Sequence, residues 1–194
     1  MRIITIASVL LLAVSVGATG MKTGYRPLDS SNVEMQSYMR AIEALGPCGK
    51  GPGETCGRRQ LFKDAGPALA EYLIAQYELS VAEEYLGSPT LLRYIAYTET
   101  EVGFSYIRRL AFEKNHRALE ALAFTNDVRA VDTAMALFPE LDAKGRVVAV
   151  TVVQRNGAER QDVPGWLRSV NRGDDTAEVR QRAESALWAL GIKR

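Results

Sequence analysis

The chain contains two cysteines, Cys48 and Cys56, at the ends of a glycine-rich loop. Such a pair can form a disulfide, contribute to a metal site or act as a redox couple. Redox couples usually have two intervening residues, whereas seven intervene here. A zinc site needs about four ligands, and His116 is the only histidine that could join the cysteines. We therefore predict a structural disulfide and no metal site, with loop closure stabilising the fold by about 2.5 kcal/mol.

The sequence motifs for phosphate binding and for catalysis are incomplete. Gly49-Lys50 is reminiscent of a P-loop, but Ala44 and Gly51 occupy positions where that motif needs Gly and Ser or Thr. A Ser-His-Asp or Cys-His mechanism would depend on His116, for which a capping or solvent-facing role is the simpler interpretation. Acidic pairs could act as general acid and base, although neighbouring charges on exposed turns are usually solvated. These pairs are Glu83-Glu84, Glu99 with Glu101, and Asp174-Asp175. We predict no catalytic residue and no cofactor, with an acidic catalytic site as the alternative.

Tyrosine and arginine residues predict a binding surface. Six of the eight tyrosines lie between Tyr72 and Tyr106, interleaved with arginines. Both residue types dominate the energetics of protein interfaces, because each provides a large contact area with polar groups at its tip. We predict that Tyr94, Tyr97, Arg93 and Arg108 form a surface that binds another protein. The alternative is that these tyrosines fill the seams between helices, at the boundary of core and solvent.

The first residues indicate export. Arg2 precedes an apolar stretch from Ile3 to Val16, and Val16-Gly17-Ala18 offers small residues at a cleavage site, so residues 1–18 are predicted to be a signal peptide. The apolar stretch is shorter than the ~20 residues that span a membrane. We expect a periplasmic or secreted protein with no membrane span after cleavage, and an uncleaved anchor is the alternative.

The charge balance argues against nucleic acid as a partner. The chain has 24 basic and 23 acidic residues, and removal of Arg2 makes the mature protein close to neutral. A broad basic surface for nucleic acid or anionic membranes is therefore not expected. The apolar fraction of 47% is typical of a folded globular protein.

Periodicity predicts a succession of short helices. Residues 19–32 have little periodicity and are interpreted as a flexible leader, and an N-terminal region, 33–60, contains one helix over 33–45 and the cysteine loop. From Leu61 onward, apolar residues recur at helical spacings in segments that are too short to be stable alone. Helix starts are predicted at Pro67, Ser88, Asn115, and Asn126 or Asp127. A weak break is predicted near Leu79-Ser80, and the helix before Pro139 is predicted to end there.

The best-defined element is a pair of helices between Asp162 and Gly191. Trp166, Leu167 and Val170 form the apolar side of the first helix, and Val179, Ala183, Ala186, Leu187 and Leu190 form that of the second. Asp175 is predicted to cap the second helix, with Glu178 three residues later, and Gly191 to end it. The short connection predicts an antiparallel pair.

This pair resembles one HEAT-type repeat, as found in the bacterial HEAT repeats that are similar to phycobilin-lyase repeats. The turns at Glu101-Val102, Asp127-Val128-Arg129 and Glu178-Val179-Arg180 resemble the acidic residue and valine at the turn of that repeat. The resemblance covers about Leu61 to Gly191 and is strongest from Asp162 to Gly191. It implies an all-α fold, a short right-handed α-solenoid over residues 61–194, and a protein-binding or scaffolding role in the bacterial envelope. An envelope enzyme or lyase-like protein with an acidic site is the alternative function.

Residues 145–153 depart from this pattern, because their β-branched residues favour a strand. A single strand among helices would have no sheet to join. We predict a helix with Val147, Val150 and Val153 on its buried side. A strand here would make the fold α+β.

Overall fold

The computed structural model describes residues 33–44, 57–83 and 88–192. Within these ranges the fold is all-α, and no strand is present. The elements are α1 (Val33–Ala44), α2 (Gly57–Ala82), α3 (Ser88–Tyr97), α4 (Glu101–Phe112), α5 (His116–Leu122), α6 (Arg129–Leu137), a short 3-10 helix (Phe138–Glu140), α7 (Ala143–Asn156), α8 (Val163–Gly173) and α9 (Ala177–Ala189). The predicted signal peptide, the leader and the disulfide between Cys48 and Cys56 lie outside the described residues.

The helices contact one another in a regular way. Each of α2, α4, α6 and α8 packs against the helix that follows it in the chain. In addition, α3 contacts α5, α5 contacts α7 and α7 contacts α9, while α2 contacts α4 and α4 contacts α6. Helices that alternate along the chain are therefore neighbours in space. A single buried apolar cluster runs from Met39 and Ile42 in α1 to Ala186 and Leu187 in α9.

Side-chain caps begin several helices at the expected places. Asn115 Oδ1 accepts hydrogen bonds from the backbone N–H groups of Arg117 and Ala118, which confirms Asn115 as the start of α5. Val128 occupies the N-cap position of α6, so the prediction of Asn126 or Asp127 as the cap is wrong, although Asp127 Oδ1 accepts from the N–H of Arg129 at 2.9 Å. The prediction that α6 ends near Pro139 is also confirmed, because the chain continues there as the 3-10 helix.

The predicted break near Leu79-Ser80 is wrong. The helix α2 continues through these residues to Ala82, because Ser80 is fully buried and its segment packs against the core instead of forming a turn. The irregularity of α2 lies at Gly66, whose φ of 63° kinks the helix. Pro67 follows immediately, as predicted for the first turn of a new helical segment. The helix also begins at Gly57, before the predicted boundary between residues 60 and 61.

Residues 145–153 are helical, as predicted. Asp142 Oδ1 accepts from the N–H of Gly145 at 2.7 Å and caps α7. Val150 and Val153 are fully buried and Val147 is partly buried, and Val152 is fully buried as well. The contacts of α7 with α5, α6 and α9 explain the strand-like composition of this segment, because a helix that is packed on several sides needs apolar residues on each of them.

The last two helices confirm the predicted pattern except at one cap. Leu167, Val170, Val179, Ala183, Ala186 and Leu187 are buried as predicted, whereas Trp166 and Leu190 are partly buried. At the end of α9, the N–H groups of Gly191 and Ile192 bond back to Trp188 and Leu187, and Gly191 has a φ of 72°. These bonds form a Schellman motif. The prediction that Asp175 caps α9 is wrong, because the first residue of α9 is Ala177 and the carboxylate of Asp175 accepts from Arg146 instead.

Arginines connect turns that are about one helix pair apart. The Nη2 of Arg129 lies 2.7 Å from Glu101 Oε2, across 28 residues of sequence. Arg160 bonds to Asp132 across 28 residues. Arg146 Nη2 bonds to Asp175 Oδ1 at 2.6 Å, across 29 residues.

The ion pair of Arg146 is the least exposed of these. Its Nε lies 3.1 Å from Asp174 Oδ2, and the two side chains are 19% and 4% exposed. Replacing Arg146 with Met would leave the Asp174 carboxylate buried without its cation, and we expect a loss of about 3 kcal/mol in the free energy of unfolding. Urea denaturation measures this difference. The control is Lys114→Met, which removes the exposed pair with Glu140 and should cost less than about 1 kcal/mol. Equal losses in the two variants would contradict this assignment.

Gly157 is a position where packing requires glycine. A Cβ there would lie 2.7 Å from Val163 Cγ2 and 2.6 Å from the Val153 carbonyl oxygen. Gly157→Ala should therefore reduce the free energy of unfolding by about 1–3 kcal/mol. The matched control is Gly165→Ala, because a Cβ at Gly165 meets nothing within 4 Å. This helical position should tolerate alanine or gain up to about 1 kcal/mol. Thermal and urea denaturation of both variants would test this, and a stable Gly157→Ala protein would contradict it.

Candidate functional site

The predicted binding residues on α3 differ in exposure. Arg93 is exposed and Tyr97 is half-buried, whereas Tyr94 is only 9% exposed. The ring of Tyr94 lies 4.8 Å from that of Phe62, which is fully buried. Tyr94 therefore belongs to the seam between α2 and α3. Arg93 and Tyr97 are separated by one helical turn and lie on the same side of α3.

Phe124, just after α5, connects the exposed residues into a cluster. The Arg93 guanidinium lies 4.7 Å from the centroid of the Phe124 ring, and the guanidinium of Arg155, from the end of α7, lies at the same distance. The Tyr97 ring meets Phe124 edge-on at 5.9 Å. Stacking of a guanidinium on a ring is favourable and holds the charged group in place. The cluster thus combines residues from α3, α5 and α7, which are consecutive neighbours in space.

Arg59 supports this cluster from α2. Its Nη2 donates to the carbonyl oxygen of Phe124 at 2.9 Å, and its Nε donates to Glu99 Oε1 at 3.1 Å. The same guanidinium lies 5.4 Å from the Tyr97 ring. Because Arg59 bonds to the backbone at Phe124, it fixes the position of the ring on which the other two arginines stack.

Arg182 on α9 extends the positive charge beyond Arg155. Its Nη2 donates to Gln154 Oε1 at 2.8 Å and its Nε donates to Thr151 Oγ1 at 3.0 Å. Burial, and next the nearby charge of Arg155, lower the pKa of Arg182. We define the arginine surface as Arg93, Phe124, Arg155 and Arg182. It extends over α3, α5, α7 and α9.

Arg108 lies apart from the other predicted binding residues. It is exposed on α4, and its guanidinium is 5.4 Å from the centroid of Phe112. No hydrogen bond or ring contact joins Arg108 to Arg93 or Tyr97 among the described residues. The structure therefore brings two of the four predicted residues together, through Phe124.

The acidic residues that could serve catalysis surround a small cavity. This cavity of about 140 Å³ lies between the turns before α4 and α6 and is lined by Glu99, Glu101 and Asp127. Hydrogen bonds from Arg129 lower the pKa of both Glu101 and Asp127. Glu99 contacts Lys63 at 3.1 Å in addition to Arg59. Carboxylates held in the ionised form in this way are poor general acids.

The other predicted chemistry residues are dispersed. His116 is partly exposed, with its Nε2 3.8 Å from Asp142 Oδ1. Asp174 and Asp175 contact Arg146. No group of three His, Cys, Asp or Glu side chains within residues 33–44, 57–83 and 88–192 is arranged to hold a metal ion. None of the helices in those ranges has both the length and the apolar character needed to cross a membrane.

The sequence analysis missed three members of the arginine surface and a separate groove. Phe124, Arg155 and Arg182 come from a turn and from two later helices, and only their position away from the apolar stripes could have indicated exposure. At the last helix pair, Trp188 is 63% exposed and lines a groove of about 240 Å³ with Arg168 and other residues. Trp188 lies outside the predicted apolar stripe of α9, which is the signal that its ring faces solvent.

Comparisons of the chain with protein-family models, with curated protein sequences and with solved structures find no match.

Proposed function

We propose that this chain is an exported HEAT-like helical-repeat protein, with a right-handed α-solenoid over residues 61–194, that acts as a protein-binding or scaffolding module in the bacterial envelope. The contacts between alternate helices support the solenoid arrangement. The bonds of Arg129 and Arg160 to carboxylates 28 residues earlier also support it, because equal spacing of such bonds is expected from stacked repeats. The signal-like residues 1–18 support export.

The observation that carries the binding role is the cluster around Phe124. Aromatic and guanidinium groups from α3, α5 and α7 converge there, with Arg93 exposed and Tyr97 half-buried. Arginine and aromatic side chains are the residues most enriched at energetically important positions of protein interfaces. A surface assembled from successive helix pairs is also the way in which helical-repeat proteins bind their partners.

An envelope enzyme with an acidic site is the second candidate, and the cavity beside Glu99, Glu101 and Asp127 favours it. Two observations weigh against this candidate. Each of these carboxylates contacts a cationic side chain, and the pKa values of Glu101 and Asp127 are lowered. General acid catalysis needs a carboxyl group whose pKa is raised instead.

Affinity purification from the native envelope fraction tests the binding role. The tagged full chain should retain a partner, and the partner should then bind to the purified protein in a titration. Arg93→Ala combined with Arg155→Ala should weaken this binding at least tenfold, because both groups are exposed and lie on the same ring. The control is Arg172→Ala, an exposed arginine on α8. A partner that binds all three proteins equally would contradict the proposed surface.

Mass spectrometry of the protein recovered from the envelope fraction tests export. We expect the mature chain to begin at Thr19, because cleavage is predicted after Ala18. We also expect its mass to be lower by two hydrogens before reduction, as a bond between Cys48 and Cys56 requires. Recovery of the uncleaved chain from the cytoplasm, with reduced thiols, would contradict both expectations.

A further inference from the structure

The arginine surface contains positive charges that no carboxylate of the described residues contacts directly. Arg93, Arg155 and Arg182 are not within 4.0 Å of any carboxylate oxygen of those residues. Arg93 and Arg155 are each 4.7 Å from the Phe124 centroid, so the two charges cannot be further apart than twice that distance. Arg182 carries a third charge near Arg155, since its Nη2 donates at 2.8 Å to Gln154, the residue before Arg155. Three cations therefore lie in succession along one surface.

Arginines in the first turn of a helix or in a connection between helices have the opposite arrangement. Arg129, Arg146 and Arg160 each contact two carboxylates. The chain contains nearly as many acidic as basic residues, so partners for the surface arginines were available in the composition. The absence of described carboxylates around Arg93, Arg155 and Arg182 is thus a property of where the acids lie in the fold.

The geometry of the cluster prepares the guanidinium groups for an anion. Arg93 and Arg155 lie against the Phe124 ring and make no hydrogen bond or ion pair with the described residues, so the N–H groups of both guanidiniums remain available as donors. These N–H groups are the parts that bind a carboxylate with two parallel hydrogen bonds. Because the ring restricts the side chains before binding, less rotamer entropy is lost when the anion arrives. A carboxylate would also relieve the mutual repulsion of the three cations.

We infer that the partner presents an acidic segment of protein to the arginine surface, with carboxylates that bind Arg93 and Arg155 next to Phe124. This inference rests on the binding role proposed above and specifies the chemistry of the partner. The near-neutral charge of the whole chain favours a protein segment over nucleic acid, because nucleic-acid binding draws on a field that extends over many phosphates. The apolar ring of Phe124 adds contact area for a side chain between the carboxylates.

A random dodecapeptide library displayed on phage tests this inference on the purified full chain. Peptides enriched by the wild-type protein should be rich in Asp and Glu compared with the unselected library. A fluorescein-labelled peptide from this selection should bind at least tenfold more weakly to Arg155→Glu and to Arg93→Glu, because each variant replaces an attractive charge with a repulsive one. Its affinity should also fall as sodium chloride is raised. Circular dichroism and thermal denaturation verify that both variants fold.

Arg172→Glu is the matched control, because it makes the same change of charge at an exposed arginine of α8. An equal loss of peptide binding in Arg172→Glu would show that net charge alone is responsible and would overturn the inference. Enrichment of neutral or basic peptides, or of none, would overturn it as well. A short single-stranded oligonucleotide that binds more tightly than the acidic peptide would do the same. A native partner that loses binding to the Arg93→Ala, Arg155→Ala double variant, but whose binding to the wild type does not depend on salt, would support the proposed binding role. This result would overturn the inference that the bound segment is acidic.

Discussion

The fold depends on short helices that bury one another's apolar sides. The described helices from α3 to α9 are 7 to 14 residues long. Helices of this length are marginal in water, and their stability comes from packing an apolar face against neighbours. The helix α7 shows this most clearly, because Ala149, Val150, Val152 and Val153 are all fully buried between α5, α6 and α9. Removing its neighbours would expose a valine-rich segment whose own preference is for a strand.

Mutual burial fixes which helices touch, and the arginines on the turns add a second connection between them. Apolar contact is non-directional, so it constrains the sliding of one helix along another only weakly. A bond such as that from Arg146 to Asp175 has a defined length and direction, and it joins the first turn of α7 to the turn before α9. Removing one partner of the least exposed pair, Arg146 and Asp174, should cost most because it leaves a buried charge, whereas exposed pairs are weakened by solvent. The carboxylates of the turns are thus occupied by ion pairs with arginines of the same chain.

Local sequence signals predicted those features that depend on adjacent residues. Asn115 and Gly191 act through hydrogen bonds that span only a few residues, so their positions could be found from spacing alone. Asp175 could not be interpreted in this way, because an arginine 29 residues earlier competes for its carboxylate. The tyrosines of α3 show a similar limit. Periodicity places Tyr94 and Tyr97 on one helix, but the rotation of α3 against Phe62 decides that Tyr94 is the more buried.

The arginine surface could not be predicted for the same reason. Its members come from α3, the turn after α5, α7 and α9, and no interval in the sequence relates Phe124 to Arg155 or Arg182. Composition points away from a charged site, since 24 basic and 23 acidic residues nearly cancel. Folding separates these charges, because the turns collect carboxylates beside Arg129, Arg146 and Arg160 while the arginines near Phe124 stack on a ring. A stacked guanidinium keeps its hydrogen-bond donors. Arg93 and Arg155 thus have no carboxylate of the described residues in contact, and we propose that a carboxylate of the partner takes that place.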